Sequence, residues 1–74
     1  MKPVRFSNHA REEMARRDIP LEVARKVLDD PDQILPEHDG LVARQGYVTM
    51  DGRRYRVRVV VAERLDATVV VTAY

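Results

Sequence analysis

Arginine and tyrosine recur in the second half of the chain at positions where they could act together on a phosphate-bearing ligand. Arg54, Arg56 and Arg58 occupy every second position, with Tyr47 before them and Tyr74 after them. Guanidinium groups bind phosphate oxygens through forked hydrogen bonds, and tyrosine rings stack on bases. In metal-free RNA cleavage, the arginines would stabilise charge at phosphorus and the tyrosines would position a base or donate a proton. These five residues are therefore candidates for RNA binding and for catalysis.

The arginine segment contains no histidine, so it offers no evident general base. His9 is the alternative candidate for the base, and it lies in the first turn of a predicted helix. It would act as base or acid beside Arg16 or Arg17. A structural role, in which the ring packs at the start of the helix, is the favoured alternative.

Arg16 and Arg17 end the same predicted helix, where the dipole favours cations. The same two side chains could also bind RNA or an acidic segment of a partner, and the two roles are compatible.

His38 is the second histidine and lies between Glu37 and Asp39. One histidine with two carboxylates in a single turn is a weak ligand set for a metal. The chain has no glycine-rich phosphate loop and no Ser-His-Asp order. We therefore predict neither a metal site nor a cofactor.

The composition predicts one small domain over residues 1–74. The chain has no cysteine, its net charge is +1, and 34% of its residues are charged. Without cysteine there is no disulfide framework, and without a long apolar segment there is no predicted signal peptide or membrane contact. A cytoplasmic location is the expectation. The charges are segregated, because residues 29–39 are acidic whereas residues 53–58 are basic.

Two helices are predicted before the basic segment. Ser7 is a suitable N-cap for the first helix, in which Ala10 and Met14 continue an apolar stripe. Pro20 suits the first turn of a second helix, which the sequence Asp29-Asp30-Pro31 ends. The short break between them predicts an αα-hairpin.

The remaining chain is predicted to be β. Pro3–Phe6 reads as a short strand or an extended entry, and Gln33–Leu35 as a strand that Pro36 ends. Asp51-Gly52 is a strong signal for a two-residue hairpin turn between strands over 41–50 and 53–62, and a last strand follows over 68–74. The predicted class is α+β, with an antiparallel sheet of three to four strands.

The hairpin turn predicts which face each strand residue occupies. It pairs Met50 with Arg53 and Gly46 with Val57, and a five-residue last loop would pair Val61 with Val69. The apolar face toward the helices would then contain the following residues: Val48, Tyr55, Val57, Val59, Val61, Val69 and Val71. The opposite face would contain these: Gln45, Tyr47, Thr49, Arg54, Arg56, Arg58, Thr72 and Tyr74. A four-residue last loop is the less favoured alternative, since it would place arginines opposite valines.

The opening of the chain resembles a family of short bacterial domains of unknown function. The shared features are His9-Ala10, Met14 and Arg17 at the family's spacing, the pair Pro31-Asp32, and valine-rich closing strands. That family is grouped with the RelE/ParE-like toxin superfold, close in layout to BrnT-type toxins. The resemblance implies a RelE-like fold, RNA or the ribosome as a target, and an antitoxin as a partner.

Two functions of different class follow from the residues and the resemblance. The first is a toxin-like protein that uses the basic sheet face either to bind RNA without cleaving it or to cleave it as a metal-independent endoribonuclease. The second is a non-catalytic protein-interaction module with the same superfold. In either case the last strand, Thr68–Tyr74, is expected to be an exposed edge that forms a homodimer or pairs with a partner strand.

Overall fold

Two helices and a five-stranded mixed sheet form the chain in the computed structural model, which describes residues 2–74. The elements are β1 (Val4–Phe6), α1 (Asn8–Arg16), α2 (Leu21–Asp29), β2 (Gln33–Pro36), a 3-10 turn (His38–Gly40), β3 (Val42–Met50), β4 (Arg53–Glu63) and β5 (Thr68–Ala73). The predicted α+β class and element order are confirmed. The sheet was predicted to have three to four antiparallel strands, but it has five, because β1 joins it and runs parallel to β5.

Helix α1 begins and ends with local hydrogen bonds that its sequence supplies. The Ser7 hydroxyl accepts a hydrogen bond from the backbone N–H of Ala10 at 3.0 Å, as expected of an N-cap. At the other end Asp18 has φ 55°, and the N–H groups of Asp18 and Ile19 donate to the carbonyls of Ala15 and Met14. This is a Schellman motif, and it turns the chain toward α2.

The β3–β4 hairpin has the predicted register. Asp51 and Gly52 both have positive φ, at 51° and 77°, as a type I′ turn requires. Met50 pairs with Arg53, and the ladder continues to Val42 opposite Val61. Because side chains alternate along a strand, this register determines the face of every residue in the hairpin.

The β4–β5 register differs from the preferred prediction. Glu63 pairs with Thr68, so the connecting loop has the four residues that were the less favoured alternative. A β-bulge between Val60 and Val61 then shifts the register by one residue, so that Val60 lies opposite Thr72. The bulge restores the separation of apolar and polar faces that an uninterrupted four-residue connection would have lost.

The residues that β5 turns toward the helices therefore differ from those predicted. Val70 and Ala73 are fully buried there, whereas Val69 and Val71 are only half-buried. Tyr55 was also predicted to be covered, but it is 42% exposed and lines a cleft together with Asp18 and Ile19, which follow α1.

The prediction that Thr68–Tyr74 is an exposed edge is wrong for its first half. Strand β1 covers Thr68–Val70, and the N–H of Thr68 donates to the carbonyl of Pro3 at 2.9 Å. The sheet order is β1-β5-β4-β3-β2, so the two edge strands are β1 and β2. The sequence does not reveal this pairing, because more than sixty residues separate β1 from its partner.

One apolar core lies between the helices and one face of the sheet, which we call the inner face. It contains the following buried residues: Ala10, Met14, Ala24, Val27, Leu28, Val57, Val59, Val61, Val70 and Ala73. The opposite side of the sheet, which we call the outer face, has no helix over it within residues 2–74. Neither helix in residues 2–74 has the length and apolarity to cross a membrane.

Candidate nucleic-acid interface

The outer face of the sheet collects the arginines of β4. Arg54, Arg56 and Arg58 lie opposite Thr49, Tyr47 and Gln45 of β3 in the hairpin ladder. Arg5 of β1 joins the same face at its far side, where it pairs with Val69. None of the described strand positions on this face is an aspartate or a glutamate, so no strand residue there neutralises the arginines. The predicted segregation of the arginines from the core is confirmed.

Arg54 and Arg56 are the accessible cations that β4 contributes to this face. Both residues are exposed, and the guanidinium of Arg54 lies 4.5 Å from the centre of the Tyr47 ring. A cation over a ring at this distance is attracted by the ring's quadrupole, which holds the side chain across the sheet surface. Tyr47 itself is 45% exposed. This end of the face thus presents charge and an aromatic surface together.

Arg58 is held in place by a buried amide. Gln45 is only 4% exposed, and its Oε1 accepts hydrogen bonds from Arg58 Nη2 at 2.6 Å and Arg58 Nε at 3.0 Å. The Gln45 Nε2 donates to Gln33 Oε1 at 2.8 Å, which orients the amide. Arg58 is half-buried as a result. Its guanidinium is therefore a fixed feature of the face, unlike those of Arg54 and Arg56.

Tyr74 lies between two arginines at the end of β5. Its ring centre is 5.8 Å from the guanidinium carbon of Arg58 and 6.0 Å from that of Arg17. The backbone of Tyr74 pairs with that of Arg58, with hydrogen bonds of 2.7 and 2.9 Å. Arg17 projects from the end of α1, so Tyr74 joins the helix layer to the outer face. The structure thus brings Arg17, Arg58 and Tyr74 together.

Arg16 and His9 belong to a different cluster, centred on Glu13. Arg16 Nη2 donates to both carboxylate oxygens of Glu13, at 2.6 and 2.8 Å, and Arg17 Nε lies 3.6 Å from Oε1. Hydrogen bonding from Arg16, together with the charges of Arg16, Arg17 and His9, holds the pKa of Glu13 below its ordinary value of 4.5. The carboxylate is therefore ionised at neutral pH and binds Arg16.

His9 is exposed on α1, which packs on the inner face. The sheet therefore separates this histidine from the outer-face arginines, and no hydrogen bond within residues 2–74 connects them. The structure does not assemble His9, Arg54 and Arg56 into one site.

The Glu13 cluster predicts a stability contribution that disappears in acid. Because the folded-state pKa of Glu13 is lowered, its contribution is present at neutral pH and is lost as pH falls through that pKa. We expect Glu13→Gln to lower the urea midpoint at pH 7, with the difference from the native chain shrinking as pH falls below 4.5 and through the lowered pKa. Glu12→Gln, on an exposed position of the same helix, is the matched control. A difference that persists unchanged at the acid end would contradict the ion-pair origin.

His38 begins the 3-10 turn and is exposed. No group of three His, Cys, Asp or Glu residues in the described part of the chain is arranged to hold a metal ion.

The sequence alone did not reveal how Gln45 and Glu13 act. Gln45 was placed on the outer face by alternation, but its burial depends on Gln33 of β2, twelve residues away along the chain. Glu13 lies three and four residues before the two arginines, a spacing that predicts helical ion pairs. That spacing was the available signal for the Glu13 cluster.

A family model described as a domain of unknown function (DUF4258) matches residues 6–74. The chain belongs to this family. The family match begins at the last residue of β1 and includes both helices and the other four strands. Comparison with curated proteins and with solved structures finds no match.

Proposed function

We propose that the chain binds single-stranded RNA on the outer face of its sheet, in the manner of a RelE-like toxin. The observation that carries the proposal is a sheet face with exposed Arg54 and Arg56 beside Tyr47, and no strand carboxylate. Single-stranded nucleic acids are bound by cationic surfaces with aromatic side chains on which bases stack. An open sheet face with arginine and tyrosine supplies both.

Within this proposal the residues have different roles. Arg54 and Arg56, which are exposed, contact phosphates, while Tyr47 stacks on a base. Arg58 is fixed by Gln45 and provides a positioned charge at the centre of the face. Tyr74 and Arg17 extend the basic surface around the end of β5 toward α1.

Binding is better supported than cleavage. A metal-free ribonuclease needs a base for the 2′-hydroxyl within hydrogen-bond reach of the phosphate site. Both histidines lie elsewhere, His9 on the helix layer and His38 in the turn before β3. In the proposed function a tyrosine, Tyr47 or Tyr74, is the residue available for proton transfer, and Arg54, Arg56 and Arg58 stabilise charge.

The test is RNA binding by an Arg54→Gln, Arg56→Gln double variant, measured by fluorescence anisotropy with a single-stranded RNA of about 12 nucleotides. We expect affinity at low salt to fall about tenfold or more, because two phosphate contacts are removed. The slope of log K against log salt should become less negative by about 1.4, at about 0.7 per lost contact.

The matched control is Lys26→Gln, Arg64→Gln, which removes the same charge from exposed positions on α2 and in the β4–β5 loop. It should change the affinity much less and leave the slope nearly unaltered. Equal losses in the two double variants would show that only net charge matters and would contradict the proposed site. For the toxin class, growth arrest on expression of the chain should be lost with the Arg54/Arg56 variant and retained with the control.

A further inference from the structure

A series of side-chain hydrogen bonds crosses the outer face from Arg58 of β4 through Gln45 of β3 to Gln33 of β2. We call these three side chains the amide relay. An arginine side chain has hydrogen-bond donors and no acceptor, so the Gln45 atom that faces Arg58 is the amide oxygen. The Gln45 Nε2 group then faces Gln33 as a donor, 2.8 Å from Gln33 Oε1. Each amide of the relay is therefore held in one of its two orientations.

Gln33 is the exposed end of the amide relay. Its Oε1 accepts the hydrogen bond from Gln45, which leaves its Nε2 group with two N–H donors. That group has no acceptor in the part of the chain that the structure describes. Strand β2 is an edge strand, so no further strand of residues 2–74 covers it. The outer face thus presents a pair of oriented donors at this edge.

The donors of Gln33 lie beside Tyr47. Gln33 pairs with Gln45 in the β2–β3 ladder, and Tyr47 is the next residue of β3 on the same face. Diagonal neighbours of this kind are about 7–8 Å apart, within reach of long side chains. The N–H of Tyr47 donates to Asp32 Oδ2 at 3.1 Å, which ties Tyr47 to the chain just before β2. Arg54 approaches the ring from β4, and Gln33 stands on the other side of Tyr47.

We infer, on the basis of the proposed RNA binding, that Gln33 selects the base that stacks on Tyr47 and prefers a keto base to an amino base. Guanine and uracil present a carbonyl oxygen where adenine and cytosine present an amino group. A side chain that only donates forms a hydrogen bond with the carbonyl oxygen. Against the amino group two donors meet, and both lose the partner that water would supply.

The residues of the relay have different roles in this selection. Gln33 contacts the base. Gln45 is only 4% exposed and does not reach the RNA, so it is a positioning residue that determines which end of the Gln33 amide faces outward. Arg58 in turn orients Gln45. A buried side chain is therefore expected to control base preference.

The test compares oligouridine with oligocytidine, each of about 12 nucleotides, by fluorescence anisotropy with the full chain at neutral pH. Uracil has a carbonyl oxygen in place of the cytosine amino group. We expect the native chain to bind oligouridine about fivefold more tightly. Gln33→Ala should remove this preference but keep the slope of log K against log salt, because Arg54 and Arg56 are unchanged.

Gln45→Glu should invert the preference without any change in a residue that touches RNA. Glutamate accepts hydrogen bonds from Arg58 as glutamine does, but it has no donor for Gln33. The Gln33 amide then turns to donate to the glutamate, and its oxygen faces outward. We expect this variant to bind oligocytidine more tightly than oligouridine. Gln33→Glu presents an outward acceptor directly and should give the same inversion.

The matched control is Thr49→Glu, which makes the same change of charge at an exposed position of the outer face. It should weaken the binding of both oligonucleotides to the same extent and keep the preference for oligouridine. Inversion in this control as well would show that charge alone alters the preference, which would contradict the role of the relay.

The remaining outcomes separate base selection from RNA binding itself. Equal affinity of the native chain for the two oligonucleotides, with binding still weakened by Arg54→Gln, Arg56→Gln, would overturn base selection and leave the RNA-binding face in place. Binding of neither oligonucleotide would overturn both. A preference for oligouridine that survives Gln33→Ala would assign the selection to other groups. Should Gln45→Glu fail to fold, Gln33→Glu at its exposed position decides.

Discussion

Replacing Gln45 with methionine is expected to destabilise the protein by about 1–3 kcal/mol and to release Arg58 from the outer face. Methionine matches the length of glutamine, so the buried space stays filled. It offers no strong acceptor, however, and the half-buried Arg58 guanidinium would lose the two hydrogen bonds that now bind it to Gln45. An unsatisfied buried donor costs more free energy than a hydrogen bond contributes when it is present.

Urea unfolding measures this effect, and Gln45→Glu provides the matched comparison. The glutamate keeps an acceptor for Arg58 and loses only the donor to Gln33. We therefore expect a smaller loss of stability with glutamate than with methionine. If the methionine variant were as stable as the glutamate variant, the hydrogen bonds between Gln45 and Arg58 would not contribute to the stability of the fold.

Met14→Ala is expected to have a still larger effect, lowering the free energy of unfolding by about 2–4 kcal/mol. Met14 is 5% exposed and lies in the core that joins α1 to the sheet. Truncation loses buried apolar area and leaves a cavity that its neighbours fill only in part. A domain of 74 residues is expected to have a total stability of roughly 4–11 kcal/mol, so the loss would be a large fraction.

The control is Glu12→Ala, at an exposed position two residues earlier on the same helix. Alanine is a good helix former, so this change should alter stability by less than about 0.5 kcal/mol. The two variants are compared by urea or thermal unfolding at pH 7. Similar losses in both would mean that helix propensity, and not burial of Met14, accounts for the effect.

Several structural features could be predicted from the sequence because they depend on residues that are close together in the chain. Ser7 as N-cap and the Asp51-Gly52 turn depend on residues within a few positions of each other. The hairpin turn in turn determined the β3–β4 register, and through it the face of Arg54, Arg56 and Arg58. A rule of alternation is sufficient for that step, because it needs no information about distant elements.

The tertiary structure alone decided which elements are neighbours. The pairing of β1 with β5, the bulge after Val60 and the burial of Gln45 depend on contacts between segments far apart in the chain. Packing, rather than local propensity, selects such contacts, so the pattern of any single segment does not reveal them. The sequence by itself thus determined the local elements and the basic face, and the assembled sheet determined that Arg58 is bound by Gln45 while Arg54 and Arg56 stay exposed.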